Sequence, residues 1–176
     1  DEPDMTKNDG TYIYTVAGGN VVIVDAFPAS GMKIVSTINL SGQNPQQLYV
    51  NDDRLVVFGN IYDYYIMPLV EEKIAAPESI LPPQFNQPQT YIKVYDISDR
   101  SNPVLQRDIV LNGTYSNSRM IGDYVYAIVT TQPYVFGSDI IIPRFAPGQA
   151  AFPDVYYFDV PDYNYQFTNI LSVNVK

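Results

Sequence analysis

The strongest constraint on this chain is a frame that it uses twice. The stretch "VIVDAFPASGMKIVSTINL" (22–40) and the stretch "VYDISDRSNPVLQRDIVL" (94–111) have the same internal spacing. From Asp25 to Leu40 is fifteen positions, and from Asp96 to Leu111 is fifteen again, with Ile34 answering to Leu105 and Ile38 to Ile109. A short repeated unit cannot bury its apolar face alone, so its neighbours must stack on it. The repeat therefore sets the fold before any local preference does.

Within that frame the patterning is that of strands. "TYIYTVAG" (11–18) alternates, with Tyr12, Tyr14 and Val16 on one face and Ile13 and Thr15 on the other. "GGN" (18–20) supplies a tight turn, because glycine takes a positive φ without a clash. "VVIVDA" (21–26) is a short continuous apolar run of the kind buried on both faces, and "KIVSTINL" (33–40) alternates again. Together they read as a meander of antiparallel strands. A second unit runs through "QQLYV" (46–50), "RLVVFGN" (54–60), "YIKVYDI" (91–97) and "VLQRDIVL" (104–111). A third runs through "SRMIGD" (118–123), "YVYAIVTT" (124–131) and "TNILSVNV" (168–175). Polar turns recur with them, "NDG" at 8–10, "NDD" at 51–53 and "IGD" at 121–123, each placed before an inner strand.

The spacing becomes regular once one insertion is set aside. Tyr12 to Leu55 is forty-three positions and Leu55 to Tyr124 is sixty-nine. The excess lies in 61–89, where the first unit has only its Gly-Gly turn. Without it the repeat is roughly 40 residues, the length of a β-propeller blade. The third unit carries a second insertion, 132–166, at the same hairpin. Repeat proteins place insertions on one face in this way, often the binding face. Inside the first insertion "PLVEEKIAA" (68–76) reads as two turns of helix.

The expected fold is all-β: four-stranded antiparallel propeller-type blades in about three units, 8–45, 46–112 and 113–176, forming one partial propeller domain with two long hairpin insertions. Propellers close with about four to eight blades, so three units make an incomplete one. "NILSVNVK" stops in mid-blade, without an outermost strand.

Composition narrows the chemistry. With 176 residues and 46% hydrophobic, the chain is long enough for one buried core. A formal net charge of −9 and no basic patch argue against nucleic acid as a partner. There is no Cys and no His. That inventory removes disulfides, thiolate metal sites, Cys nucleophiles, Ser-His-Asp catalysis and ordinary zinc chemistry. No run of about eighteen apolar residues is present, so this segment is not expected to insert into a membrane. The abrupt opening "DEPDMTKNDG" carries no signal peptide and reads as a trimmed start.

Two blocks of residues go further. "DEPDMTKNDGTYIYTVAGGNVVIVDAFP" (1–28) resembles the opening of the secreted β-propeller domain family of archaea and some bacteria. "FDVPDYNYQFTNILSVNV" (158–175) is similar to that family's aspartate-proline-aspartate segment before a later strand. The resemblance covers most of the chain apart from the tips of the insertions. It implies a distant relative of WD-repeat propellers, exported and often tethered to the cell surface. It implies no established reaction, so no catalytic residue is carried over. Members are several times longer, which points to the remainder of a longer parent chain, or a second copy, as the partner that covers the open ends.

Tyrosine is the commonest aromatic, with 16 Tyr against 8 Phe and no Trp, and it gathers in the insertions. Tyr62, Tyr64 and Tyr65 lie in the first; Tyr134, Tyr156, Tyr157, Tyr163 and Tyr165 lie in the second. A large, rigid, amphipathic ring suits either packing of a long loop or contact with a ligand, and these eight are the candidate ligand-binding residues. Asp154, Asp159 and Asp162 form a close set of hard oxygen ligands for Ca²⁺, although not in EF-hand order, and Pro153 and Pro161 suit turns there. No other cofactor is expected. Asp52 and Asp53 are adjacent, so their side chains diverge on a turn. Asn39 in "NLS" and Asn112 in "NGT" are N-glycosylation sequons at the ends of matching outer strands.

The reading that follows is a non-enzymatic, exported, cell-surface module that binds an extracellular protein or glycan through the Tyr-rich insertions. The first alternative is an envelope or filament subunit whose incomplete blade accepts a strand from a neighbour. The second is a hydrolase working with two carboxyls across a cleft, as in glycoside hydrolysis.

Overall fold

The computed structural model describes residues 1–62, 88–132, 134–136, 139–141, 154–161 and 166–176, the two three-residue pieces by their backbone alone. The helix expected at 68–76 lies outside the described residues. The first sheet is β1 (Thr6–Asn8), β2 (Tyr12–Ala17), β3 (Asn20–Asp25) and β4 (Lys33–Asn39), in that order. The second is β5 (Pro45–Asn51), β6 (Arg54–Ile61), β7 (Gln89–Asp96) and β8 (Val104–Asn112), again in order. Next come β9 (Thr114–Ile121), β10 (Tyr124–Thr131) and the short hairpin β11 (Tyr134–Phe136) and β12 (Asp139–Ile141). The third sheet joins β9, β10 and β13 (Phe167–Asn174), with β10 in the middle. Every strand pair is antiparallel. Among the described residues the one helical element is a 3-10 turn at Ala29–Gly31. This is the all-β, propeller-type arrangement the repeat predicts, as an open set of three sheets.

The repeated frame has a structural cause. Ile23 pairs with Ser36 but Val24 pairs with Ile34, so Val35 is an extra residue in β4. Val94 pairs with Arg107 but Tyr95 pairs with Leu105, so Gln106 is the extra residue in β8. Both units carry a β-bulge at the same place, and a bulge adds local twist to an outer strand. Leu40 and Leu111, which end the shared frame, are both buried. One backbone hydrogen bond also recurs three times at 2.9 Å: Ala26 N to Thr11 O, Ile97 N to Asp53 O, and Val175 N to Asp123 O.

Those bonds correct the alignment by one residue. Tyr12 pairs with Asp25, Arg54 with Asp96 and Tyr124 with Asn174, so Arg54, not Leu55, answers to Tyr12. The difference matters because a shift of one residue exchanges the two faces of a strand. The polar turns precede the strands before which the sequence places them. They join β1 to β2, β5 to β6 and β9 to β10, each innermost strand to the second one. β1 escaped the sequence reading because three polar residues show no period; the main chain of β2 holds it in place.

The core consists of two layers between three sheets. Tyr14, Val21 and Ile23 of the first sheet meet Leu48, Leu55, Val57 and Tyr91 of the second. On its other face the second sheet sets Tyr49, Val56, Phe58, Ile92 and Val94 against Met120, Val125, Ala127 and Val173 of the third. Pleating sends Leu55 and Val57 one way and Val56 and Phe58 the other. The run "LVVF" is continuous for that reason: its sheet is covered on both sides. "VVIVDA" differs from its expectation. Val21 and Ile23 are buried but Val22 and Val24 are only half-buried, because they face away from the second sheet.

Residues 1–5 tie the three sheets together at their inner strands. Val16 N of β2 donates to Met5 O, Asp4 and Leu48 of β5 exchange two backbone bonds, and Met120 N of β9 donates to Asp1 O. Arg119 pairs with Glu2 alongside.

Candidate functional site

The two insertions leave the fold at the same hairpin, one between β6 and β7 and the other between β10 and β13. The first sheet turns there on Gly18 and Gly19, both at positive φ. Strands alternate in direction through each sheet, so these three connections share one end of the stack. The polar turns at Asp9, Asp53 and Asp123 occupy the other.

A buried polar network joins the roots of the insertions. The Thr90 hydroxyl lies 2.9 Å from Gly113 O and 3.3 Å from the Asn60 side-chain oxygen, and Asn60 in turn donates to the Tyr62 hydroxyl at 3.4 Å. Thr131 donates to Asn112 O at 2.9 Å, and Gly113 N donates to Pro88 O at 2.7 Å. Asn60, Thr90 and Thr131 are buried, and buried polar groups persist only when partnered. Gly113 makes the close approach possible. It stands at φ 122°, and a Cβ there would lie 2.3 Å from the Thr131 hydroxyl. The sequence reading missed these residues, since Asn, Thr and Gly at strand ends look like ordinary turn chemistry.

The aromatic candidates divide. Tyr62 is half exposed, and Tyr156, Tyr157 and Phe158 are 89%, 85% and 91% exposed. Val155 and Val160 flank them, also exposed. Tyr134 begins β11, described by its backbone. Tyr64, Tyr65, Tyr163 and Tyr165 lie outside the described residues. Asp154 and Asp159 are exposed and Asp162 lies outside the described residues; among those described, no group of three acidic side chains is placed to hold a metal. Asn39 is exposed at the end of β4, its side-chain oxygen accepting from Ser41 N at 2.9 Å. Asn112 is half-buried at the end of β8 and accepts from Gln89 at 3.3 Å.

The opposite end of the stack holds a charged cluster. Arg100, in the loop after β7, donates to Asp53 at 2.5 Å, to Asp52 O at 3.2 Å and to the Tyr14 hydroxyl at 3.2 Å. It also lies 3.5 Å from Asp9, which accepts the Tyr14 proton at 2.7 Å. Asp52 and Asp53 diverge as their adjacency requires: Asp53 turns to Arg100 and Asp52 to Lys176. Burial pushes the Asp9 carboxyl up, but hydrogen bonds from Tyr12, Tyr14 and Thr11 and the charge of Arg100 bring it below its ordinary value. Burial, with the bond to Asp9, drives the Tyr14 hydroxyl well up. An anionic Asp9, a protonated Tyr14 and a clamped Arg100 form a closed set, suited to holding two sheets together. Proton transfer near neutrality needs pKa values placed near 7 instead.

Among the described residues no helix is long and apolar enough to cross a membrane. No curated protein and no solved structure matches the chain. The family model described as "Beta propeller domain" matches residues 1–176, and with three propeller-type sheets already in view the chain belongs to that family.

Proposed function

We propose that this chain is a non-enzymatic binding module displayed outside the cell, contacting a protein or a glycan through its two insertions. The observation that carries this reading is the segment Val155–Val160, where three consecutive aromatic rings stand almost fully in solvent. Contiguous exposed apolar surface marks an interaction site. Tyrosine supplies contact area at low entropic cost and keeps a polar handle for hydrogen bonds. A buried network joins the strand ends from which both insertions leave. The downward-shifted carboxyls are employed in turns and ion pairs, which fits a scaffold. The exposed sequon at Asn39 fits display outside the cell.

The test is binding of the purified chain to arrayed glycans and to isolated envelope proteins, beside the double variant Tyr156→Ser and Tyr157→Ser. Contact through these rings weakens at least about tenfold on their removal, with the unfolding midpoint unchanged. A double variant that binds like the parent chain overturns the reading, as does absence of binding to both classes.

A further inference from the structure

The exposed segment of the second insertion limits the shape of whatever binds it. All eight residues from 154 to 161 are exposed, and none belongs to a helix or strand. Pro161 disfavours helical backbone at Val160, so the segment is not set to coil on itself there. A ring in the wall or floor of a pocket has one side against the protein and loses much of its surface there. Tyr156, Tyr157 and Phe158 are each at least 85% exposed, so no side of any of them is backed. The surface is convex. A small ligand or a sugar chain binds where walls enclose most of its area, and these rings supply no wall. A ridge of aromatic side chains fits instead into a cleft that a larger partner provides.

Charge narrows the partner further. Asp154 and Asp159 bracket the three rings, and both are exposed. From 145 to 175 the chain holds the carboxylates of Asp154, Asp159 and Asp162 and no Lys or Arg. On the scaffold the carboxylates are employed: Asp9 and Asp53 meet Arg100, Asp96 meets Arg54, and Asp123 meets Lys176. Among the described residues neither Asp154 nor Asp159 has such a partner. Lys or Arg at the rim of the cleft supplies the missing counter-charge, which steers the encounter and fixes the register.

From the unbacked rings and the unpaired carboxylates beside them we infer that the partner is a protein, which takes residues 154–161 into an apolar cleft with a basic rim. This assignment rests on binding through the insertions and reverses the usual roles: the propeller chain supplies the inserted peptide, and its partner supplies the groove. Tyr156, Tyr157 and Phe158 are the anchors, since buried aromatic side chains carry most of the energy of such contacts.

Chymotrypsin, whose own cleft takes a peptide by an apolar side chain, is the first probe. It cuts the native chain after Tyr156, Tyr157 or Phe158 while the sheets stay intact; a native chain that resists cleavage there overturns the inference. The second probe is the full chain on isolated envelope proteins, before and after enzymatic removal of their glycans, and on the free glycans. Binding follows the proteins and survives deglycosylation. Phe158→Ser weakens it at least about tenfold with the unfolding midpoint unchanged. The double variant Asp154→Lys and Asp159→Lys weakens it as well, and so does salt near about 1 M, where the screening length is about 3 Å. Binding confined to glycans, or lost on deglycosylation, overturns the inference and leaves binding through the insertions standing. Equal binding by the charge-reversed variant also overturns it. Equal binding by the Tyr156→Ser and Tyr157→Ser double variant overturns binding through the insertions itself.

Discussion

Arg100 and Tyr14 meet across the boundary between the first two sheets, the guanidinium Nε donating to the phenol oxygen at 3.2 Å. The same guanidinium reaches Asp53 in its own sheet and Asp9 in the other, and packs over the Tyr12 ring at 5.7 Å. One side chain therefore closes the turn of its own sheet and clamps the neighbouring one. Arg100→Met removes the donors and leaves Asp9 and Asp53 without the cation they share, at a cost of about 2 kcal/mol. Arg100→Lys recovers only part of it, because an ammonium lacks the planar fork. Urea unfolding of both variants checks the order.

Phe58 is the centre of the second core layer, with Tyr49 at 5.9 Å in an edge-on contact and Tyr115 at 5.2 Å. Phe58→Ala leaves a cavity between two sheets and costs about 3–5 kcal/mol. Phe158→Ala, at a ring that is nearly fully exposed, stays within about 0.5 kcal/mol of the parent. Equal losses in the two variants would show that Phe158 is packed.

Two glycines separate crowding from backbone strain. At Gly19, φ is 80° with open space around the missing Cβ, so Gly19→Ala costs about 1 kcal/mol for the left-handed backbone alone. At Gly113, φ is 122° and a Cβ would also lie 2.6 Å from Thr130 O, so Gly113→Ala costs well over about 2 kcal/mol. Denaturation midpoints at unchanged slope read the difference.

Stability is flat between about pH 6 and 8, where no unperturbed carboxyl, tyrosine or lysine titrates and where His is absent. It falls on the acid side. Hydrogen bonds from Ser98, with Arg54 beside them, hold Asp96 at about 2, and Asp9, Asp99 and Asp123 are also lowered. A carboxyl lowered on folding stabilises above its unfolded value of about 3.9, and that contribution is lost as pH drops through the folded value. On the alkaline side burial raises Tyr49 and Tyr95 to about 12, and Tyr14 and Tyr91 upward as well. Their contribution holds below the unfolded value of about 10 and is lost as pH climbs past it. Unfolding midpoints across the pH range, with tyrosine absorbance on the alkaline limb, trace both edges. A slope between pH 6 and 8 would contradict the assignment.

Most of the strands, their order and the hairpin that carries both insertions were legible in the sequence because each rests on local rules. Alternation marks a pleated surface, a polar or glycine turn ends it, and the recurrence from Asp25 to Leu40 and from Asp96 to Leu111 repeats it. The eight tyrosines of the insertions were legible as a cluster in the chain, but not which of them stand in solvent. Tyr156 and Tyr157 are exposed while Tyr14, Tyr49 and Tyr91 are buried, and no residue type carries that difference.

By itself the sequence determined the repeat, the pleat of each strand and the absence of His and Cys chemistry, since these follow from residue identity and spacing. Only the tertiary structure decided the register, the inner strand Thr6–Asn8, the network at the roots of the insertions and the clamp at Arg100. Val22 and Val57 show the reason. Both are valines in apolar runs, yet Val57 is buried and Val22 half-buried, because among the described residues one sheet has a neighbour on that side and the other has none. Local pattern says which way a side chain points along its strand; only packing between sheets, over long separations in the chain, says what it meets there.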